Sequence, residues 1–340
     1  MEELYGGIDL HSNNNFTVVT DGQDKVLFHK RLPNKLEEVL NALAPYKHRL
    51  VGLVVESTYN WYWLVDGLME NEYKVHLANT TAIQQYKGLK FTDDRSDARW
   101  LAQMLRLGIL PVGYIYPKRD RGLRDLLRKR MRLVQNRTSH ILSIQGLLSR
   151  HLGINLSSNN IKKELGGDRI DKLLQDPCVA LTAKSSLSVI SCLDLEIKRI
   201  EKMARPLVKL RPEHEGLLSV SGIGQTLAAI ISLETGDIRR FEEVGNYASY
   251  CRCVQSKRES NNKKKGKGNA KNGNQYLSWA FVEAAEFARR YNELARRFYQ
   301  RKSAKTKTVI ARKALAHKMA RACYFIMRDQ VPFDQRKAFG

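Results

Sequence analysis

Apolar and polar positions change rhythm several times along this chain. Over the first 30 residues, short apolar runs alternate with polar turns: YGGID, then HSNNN, NFTVVT, DGQD and KVLFHKR. The Asn-rich and Asp-Gly clusters are turn signals, so the pattern predicts three successive strands. Residues 36–46 carry apolar positions at amphipathic-helix spacing. HRLVGLVVE is a continuous apolar run, the mark of a strand covered on both faces. WYWLVDGLMENE reads as helix and YKVHLAN as strand. DRSDARWLAQMLRLG reads as a helix with Ala98, Leu101, Met104 and Leu105 along one side, and GYIYP as a further strand.

Three strands followed by alternating helices and strands match the order of an RNase H-like (RuvC-like) α/β fold. From about residue 118 the rhythm changes. Leu127, Val134, Ile141 and Leu148 recur every seven residues, with Leu126, Leu133 and Leu147 beside them, in a background of Arg, Lys, Gln, Ser and Asn. That spacing predicts a long helix with an apolar seam. A second helix is predicted over 186–208 from Leu193, Ile197, Ile200, Met203 and Leu207. Helices this long need an apolar partner, so they pack as a hairpin within one chain or as a coiled coil between copies. SSNNIKKELGGD between them reads as loop. Beyond about 212 the chain reads as mainly α: helix, GIG turn and helix in GLLSVSGIGQTLAAIISLETGD, another helix in RRFEEVGNYASYCRC, a polar basic stretch at 256–274, then helix at 275–300 and 308–328. The expected organisation is 1–117 as the RNase H-like domain, 118–210 as a helical coiled-coil segment and 211–340 as a mainly α C-terminal domain.

Charge narrows the function. The 340 residues hold 58 Lys and Arg against 35 Asp and Glu, a formal net charge of +23. A protein this basic is built to meet a polyanion. At 43% hydrophobic content, it has ample material for packed cores. The sequence offers no stretch of about 18 apolar residues, so no membrane-spanning helix is expected. The acidic start MEELYGGIDL resembles neither a signal nor a transit peptide. Cys178, Cys192, Cys251, Cys253 and Cys323 are odd in number and form no CxxC pair, which argues against structural zinc and a disulfide framework and fits a reducing cytoplasm.

Against this basic background, four acids stand out by position. Asp9 ends the first apolar strand and Glu56 ends the strand HRLVGLVVE; Asp94 and Asp97 open a helix three residues apart, on one face. Carboxylates at strand ends and helix starts are held rigidly. Mg²⁺ takes hard oxygen ligands, and a pair of such ions about 4 Å apart stabilises both the attacking and leaving oxygens of phosphoryl transfer. Each acid also has an ordinary reading: a helix-start acid favoured by the dipole for Asp94 and Asp97, a turn residue for Asp9, a strand-end charge for Glu56. Asp93 is a neighbouring alternative to Asp94.

These residues also carry a resemblance. The D-x-x-D-A-R run at 94–99, within KFTDDRSDARWLA, resembles the signature of the insertion-sequence 110 transposases, including their 1111 branch. GIDLH at 7–11 and VVESTYNWYWL at 54–64 are similar to that family's other acidic motifs. S-x-x-GIG at 219–224, LETGD–RRF at 233–241, RESNN at 258–262, KNGNQYL at 271–277 and VPFD at 331–334 follow its C-terminal transposase domain in order.

The resemblance implies a DNA transposase or recombinase of the DEDD type. Asp9, Glu56, Asp94 and Asp97 would be catalytic and hold Mg²⁺, two ions by the family pattern. It implies a catalytic serine just before a basic stretch, which falls on Ser260, with Ser256 as the alternative; Asn261 stands where the family often has glycine. It further implies a covalent phosphoserine intermediate, a noncoding bridge (guide) RNA from the element that pairs with donor and target DNA, and a homo-oligomer. The oligomer would be a dimer or a tetramer built as a dimer of dimers, with composite active sites. Lys257, Arg258, Lys263, Lys264, Lys265, Lys267 and Lys271 surround the serine. A second basic stretch includes Arg296, Arg297 and Arg301, with Tyr291, Phe298 and Tyr299 interleaved; aromatics among cations suit stacking on single-stranded bases, and equally form the apolar stripe of a helix. The GIG turn resembles the hairpin of phosphate-binding helix-hairpin-helix modules, or is simply a tight turn. Two other classes fit the acids or the charge: a junction-resolving metal nuclease that uses water, and a basic nucleic-acid-binding protein without chemistry.

Overall fold

The computed structural model of the protein describes residues 2–83, 93–166, 169–209, 211–254, 257–260, 263–267 and 272–340. The chain divides into two compact units, Met1–Lys118 and Arg119–Gly340.

The first unit is built on a six-stranded sheet. Its elements are β1 (Leu4–Leu10), β2 (Asn14–Asp21), β3 (Val26–Pro33), α1 (Leu36–Leu43), β4 (Leu50–Glu56), α2 (Tyr62–Glu70), β5 (Val75–Ala78), α3 (Asp94–Arg106) and the short β6 (Val112–Gly113). The spatial order is β3-β2-β1-β4-β5-β6. β1, β2 and β3 pair antiparallel, β1 with β4 and β4 with β5 pair parallel, and β6 returns antiparallel to β5. Because side chains alternate along a strand, β4 feeds two cores and β1 one. Ile8, Leu10, Leu53 and Val55 point into a cluster with Val39 and Leu43 of α1 and Leu64 and Leu68 of α2. Val54 faces the other way, against Leu101 and Met104 of α3. Covered on both faces, β4 reads in sequence as the continuous apolar run it is. Gly7, Asp9 and Glu56 have the parity of the α3 side.

The second unit is helical apart from one hairpin. A long helix, α4 (Lys118–Leu152), is followed by α5 (Ile161–Leu165), α6 (Arg169–Leu173) and the long α7 (Pro177–Lys209). Arg130 bonds Glu201 at 2.6 Å and Arg137 bonds Asp194 at 2.7 Å, so the two long helices run antiparallel as a hairpin within one chain. The expected loop between them holds α5 and α6 instead. Ile161, Leu165, Ile170 and Leu174 close the end of the hairpin over Ile144, Leu147 and Leu148; five-residue helices are too short to leave a periodic signal. α7 starts nine residues before the apolar spacing suggests, with Asp176 accepting bonds from the amides of Cys178 and Val179 (2.8 and 3.1 Å) and Pro177 at the first helical position.

One helix bears on the expectation of no membrane-spanning segment. Within α7 an 18-residue window has a mean hydropathy of 1.4 and is only 17% buried, so the helix is long and apolar enough to cross a membrane by length and composition. Ala, Val and Leu are spread among Ser and Thr in this stretch, which hides the apolar content from a reading by runs.

The rest of the unit surrounds α13 (Thr308–Asp329), against which α8 (His214–Leu218), α10 (Val244–Tyr250), α11 (Gln275–Tyr291), α12 (Glu293–Ser303) and α14 (Gln335–Phe339) pack. α9 (Gln225–Thr235) packs on α11 and α8. The 275–300 stretch is not one helix: Asn292 breaks it, its Oδ1 capping α12 through the Ala295 amide at 2.9 Å. The polar basic stretch contains a two-stranded antiparallel hairpin, β7 (Lys257–Ser260) and β8 (Lys263–Lys267). All five cysteines are free thiols, and Cys251, Cys253 and Cys323 are buried.

Candidate active site

Register brings the first two acids together. Ile8 of β1 stands opposite Val55 of parallel β4, so the next residues, Asp9 and Glu56, are neighbours on the α3 side of the sheet. Asp9 is 3% exposed. Helix α3 supplies the other two. Its small residues Ala98 and Ala102, both fully buried, lie against Gly7 of β1, which lets the helix backbone approach the sheet closely. The far half of α3 is clasped by the β2–β3 turn. Arg106 donates two bonds to the Asp24 carboxylate (2.8 and 2.6 Å), Gln103 a third (3.0 Å), and Arg99 bonds the Asp24 carbonyl (3.0 Å).

The acidic run at 93–97 divides its tasks. Asp93 is the cap of α3, accepting from the Ser96 amide at 2.7 Å. Asp94 turns toward the sheet and takes Arg31 of β3 at 2.6 Å. Asp97, one turn on, feels Asp9 and Asp94 electrostatically.

The structure thus brings Asp9, Glu56, Asp94 and Asp97 into one acidic cluster, and adds His11, which the sequence reading passed over. His11 Nε2 lies 3.2 Å from an Asp9 oxygen and 3.3 Å from an Asp94 oxygen. Asp9, His11 and Asp94 offer ligand atoms all within 4.8 Å of one another. Yet Nε2 is buried without a hydrogen-bond partner: the atom is close to two carboxylates and aligned with neither. The His11 carbonyl is pinned from two directions, by Asn34 Nδ2 at 3.0 Å and Asn60 Nδ2 at 2.9 Å. Asn60 belongs to the same VVESTYN stretch as Glu56, so one motif fixes both a ligand candidate and the turn after β1.

Electrostatics agree with a site short of positive charge. Burial, a hydrogen bond with Asp9 and the charges of Asp9 and Asp97 push the Glu56 carboxyl up to about 8. Burial and the charges of Asp9, Asp94 and Asp93 raise Asp97 as well. Mutually repelling carboxylates are the donor set that a hard divalent cation fits, and the His11 nitrogen beside them adds a softer ligand.

Ser260 belongs to the other unit. It ends β7, opposite Lys263, with Glu259 opposite Lys264 and Lys257 opposite Lys267. For Arg258, Lys265 and the rest of these strands the backbone path alone is described; Ser256, Asn261, Asn262 and Lys271 lie outside the described residues. The base of the segment is clamped. Arg252 donates to the Gly273 carbonyl at 3.0 and 2.8 Å, and the Asn274 amide bonds the Tyr250 carbonyl at 2.6 Å. Asn274 caps α11 with its Oδ1 and gives its Nδ2 to Glu234 at 2.8 Å. Glu234, 2% exposed, also takes Arg124 at 3.1 Å and Arg128 at 2.5 Å. Burial pushes its carboxyl up, and the Arg128 bond with the charges of both arginines outweighs that and holds it below its ordinary value. Residues of the LETGD and KNGNQYL stretches therefore meet in one buried network at the base of the segment that carries Ser260.

The interleaved aromatics separate into two kinds. Phe298 and Tyr299 pack against the core, with Lys318 and Arg289 over their rings at 5.6 and 5.2 Å. Tyr291 stands out at 78% exposure. Arg296, Arg297 and Arg301 are exposed, Arg297 pairing with Glu293 and Arg301 reaching the Phe339 carbonyl at 3.5 Å.

A DEDD-type family model described as Transposase matches residues 6–152, the stretch that holds the acidic cluster. The model described as Transposase IS116/IS110/IS902 family matches residues 214–300, the stretch with the clamped hairpin. The chain is also similar to the transposase for insertion sequence element IS1111A of Coxiella burnetii (strain RSA 493 / Nine Mile phase I). The two are 25% identical over 248 residues, 71% of this chain and 65% of the relative's length. The protein belongs to the IS110 family of transposases.

Proposed function

We propose that this protein is a metal-dependent DNA transposase that cuts and rejoins DNA strands, with Asp9, Glu56, Asp94 and Asp97 holding Mg²⁺, as two ions, and His11 completing the donor set. The observation that carries the reading is the meeting of four carboxylates from β1, β4 and α3 around the buried Asp9, the other three being half-buried. A sheet ordered β3-β2-β1-β4-β5, antiparallel in its first three strands and parallel thereafter, supports assigning residues 1–117 an RNase H-like (RuvC-like) fold. The long α4–α7 hairpin supports treating 118–210 as a separate helical segment, with 211–340 as the C-terminal transposase domain.

A bound divalent cation supplies positive charge that polarises a scissile phosphodiester and eases deprotonation of the attacking hydroxyl. The chain's own residues do the rest. Glu56 and Asp97, both raised by burial and neighbouring acids, would give up their protons to hold the cation. Arg31 holds the Asp94 carboxylate, and Asn34 and Asn60 hold the His11 backbone. Ser260 is the proposed nucleophile. Its Oγ forms an ester with phosphorus, a sugar oxygen leaves, and the serine proton departs with that oxygen. Lys257 of β7 stands opposite Lys267 of β8, a pairing that is unfavourable alone and relieved by a phosphate backbone. Lys257, Arg258, Lys263, Lys264, Lys265, Lys267, Lys271, Arg296, Arg297 and Arg301 are the proposed contacts to donor and target DNA and to an element-encoded guide RNA. A homo-oligomer working in the cytoplasm completes the reading.

The acids lie wholly within the first unit, which favours one rival: a junction-resolving nuclease that uses water. A covalent intermediate separates the two. Under the proposal, wild-type protein incubated with element-end DNA and Mg²⁺ yields a denaturant-resistant protein–DNA adduct and Ser260→Ala yields none; cleavage without any adduct in the wild type favours the water mechanism.

A further inference from the structure

The GIG turn at 222–224 lines a cavity. The cavity has a volume of about 420 Å³ and lies in the second unit, between α4, α7, α8, α9 and α11. This falls in the range of about 300–1,000 Å³ usual for small-molecule sites. Three features of its wall point to one class of ligand.

The first is a positive, uncapped helix end. Gly222, Gly224 and the first turn of α9 line the cavity, and α9 begins at Gly224 without a side-chain cap bond. The amides of such a turn and the helix dipole favour an anion. The turn is locked in place: Gly222 has φ 96°, and a Cβ there would stand 2.4 Å from the Ala284 carbonyl of α11. Arg205 also lines the cavity and is exposed. The acid on this wall, Glu201, is already neutralised by Arg130 at 2.6 Å.

The second feature is an unused polar group. His214 lines the cavity, is 3% exposed, and its Nδ1 is buried without a hydrogen-bond partner. Buried polar atoms in a native protein nearly always have a partner, protein or water, so this nitrogen is open to a polar group entering the cavity.

The third feature is an aromatic platform. Phe287 and Tyr291, one helical turn apart on α11, both line the cavity. Their rings stack at 6.5 Å with an interplanar angle of 13° and are 42% and 78% exposed. Exposing two large rings costs solvation free energy that stacking on a base recovers.

We propose that this cavity binds an unpaired nucleotide of a single nucleic-acid strand. The base stacks on Tyr291 and Phe287, the phosphate sits at the first turn of α9 beside Arg205, and His214 Nδ1 bonds a polar edge of the base or sugar. The site deepens the function proposed above and rests on its nucleic-acid substrate. It gives the protein a means to hold a strand taken out of its duplex.

The test uses the full-length protein and three fluorescent probes of matched length: single-stranded DNA, single-stranded RNA and duplex DNA, titrated by anisotropy over a range of salt. Tyr291→Ala weakens single-strand binding about tenfold and leaves duplex binding and the melting temperature unchanged. Arg205→Gln lowers the salt slope for single strands by about 0.7. Preference for the DNA or the RNA probe identifies which strand is held. Single-strand affinity that is unchanged in both variants overturns the proposal while leaving the transposase reading intact, as does an equal loss on duplex and single strand. Wild-type protein that binds none of the probes overturns both.

Discussion

A Cβ placed on Gly7 would lie 1.9 Å from the carbonyl oxygen of Ala98. The acidic N-terminus of α3 reaches Asp9 because β1 carries no side chain at this point. Gly7→Ala forces α3 off the sheet. Overpacking of this kind costs about 1–3 kcal/mol or more, and here the obstacle is backbone. The expected result is a lower melting temperature together with loss of Mn²⁺ binding, read by thermal denaturation and by titration.

Asp24 holds the other end of the same helix through Arg106, Gln103 and Arg99. Asp24→Ala leaves the Arg106 guanidinium without its partner and frees α3 to shift. The expected result is a lower melting temperature with a weaker metal midpoint, although Asp24 touches none of the four acids. Metal affinity equal to wild type would mean that the turn does not position α3.

Glu56 sets a pH dependence. Its carboxyl is raised from 4.5 to about 8 in the folded protein, so between these values the folded state binds the proton that the unfolded state has lost. Stability of the metal-free protein therefore falls as pH rises through this window. A divalent cation displaces the proton, so the gain in melting temperature on adding Mg²⁺ grows from pH 5 to pH 8. Glu56→Gln flattens both slopes and leaves the smaller contribution of Asp97, which is raised in the same direction. Melting curves with and without Mg²⁺ at several pH values check the sign.

Glu234 is the buried anion on which Arg124, Arg128 and Asn274 converge. Glu234→Ala strands two arginines in the interior and releases the residue that caps α11 below the serine hairpin. Breaking a buried pair from one side costs about 3–5 kcal/mol. The expected outcome is a large drop in melting temperature with metal binding by the acidic cluster retained.

Much of the first unit was legible because each strand carried its own punctuation. Polar turns bounded β1, β2 and β3, and the run that forms β4 was continuous because α1, α2 and α3 cover it on two sides. Asp9 and Glu56 were visible as acids ending apolar runs, and Asp94 and Asp97 through their three-residue spacing. His11 and Arg31 were not. Each is a polar residue in a polar surrounding, and only the register of β1 against β2 and β3, with α3 laid across them, turns them toward the acids. In the second unit the hairpin of β7 and β8 has no apolar alternation to announce it. α5 and α6 are single turns whose apolar residues find their partners at the tip of the α4–α7 hairpin. Asn292 resets the helical phase between Tyr291 and Phe298, which is why neighbouring aromatics in one basic stretch end up outside and inside. The buried network around Glu234 joins residues more than a hundred positions apart and leaves no local trace.

The central claim is that the four acids form a divalent-metal centre. Its most direct measurement is a Mn²⁺ titration of the purified full-length protein, followed by electron paramagnetic resonance, in wild type and Asp9→Asn. The account predicts saturable binding in the wild type, competed by Mg²⁺ and lost in the folded variant. Binding that survives Asp9→Asn, or no saturable binding in the wild type, would contradict it.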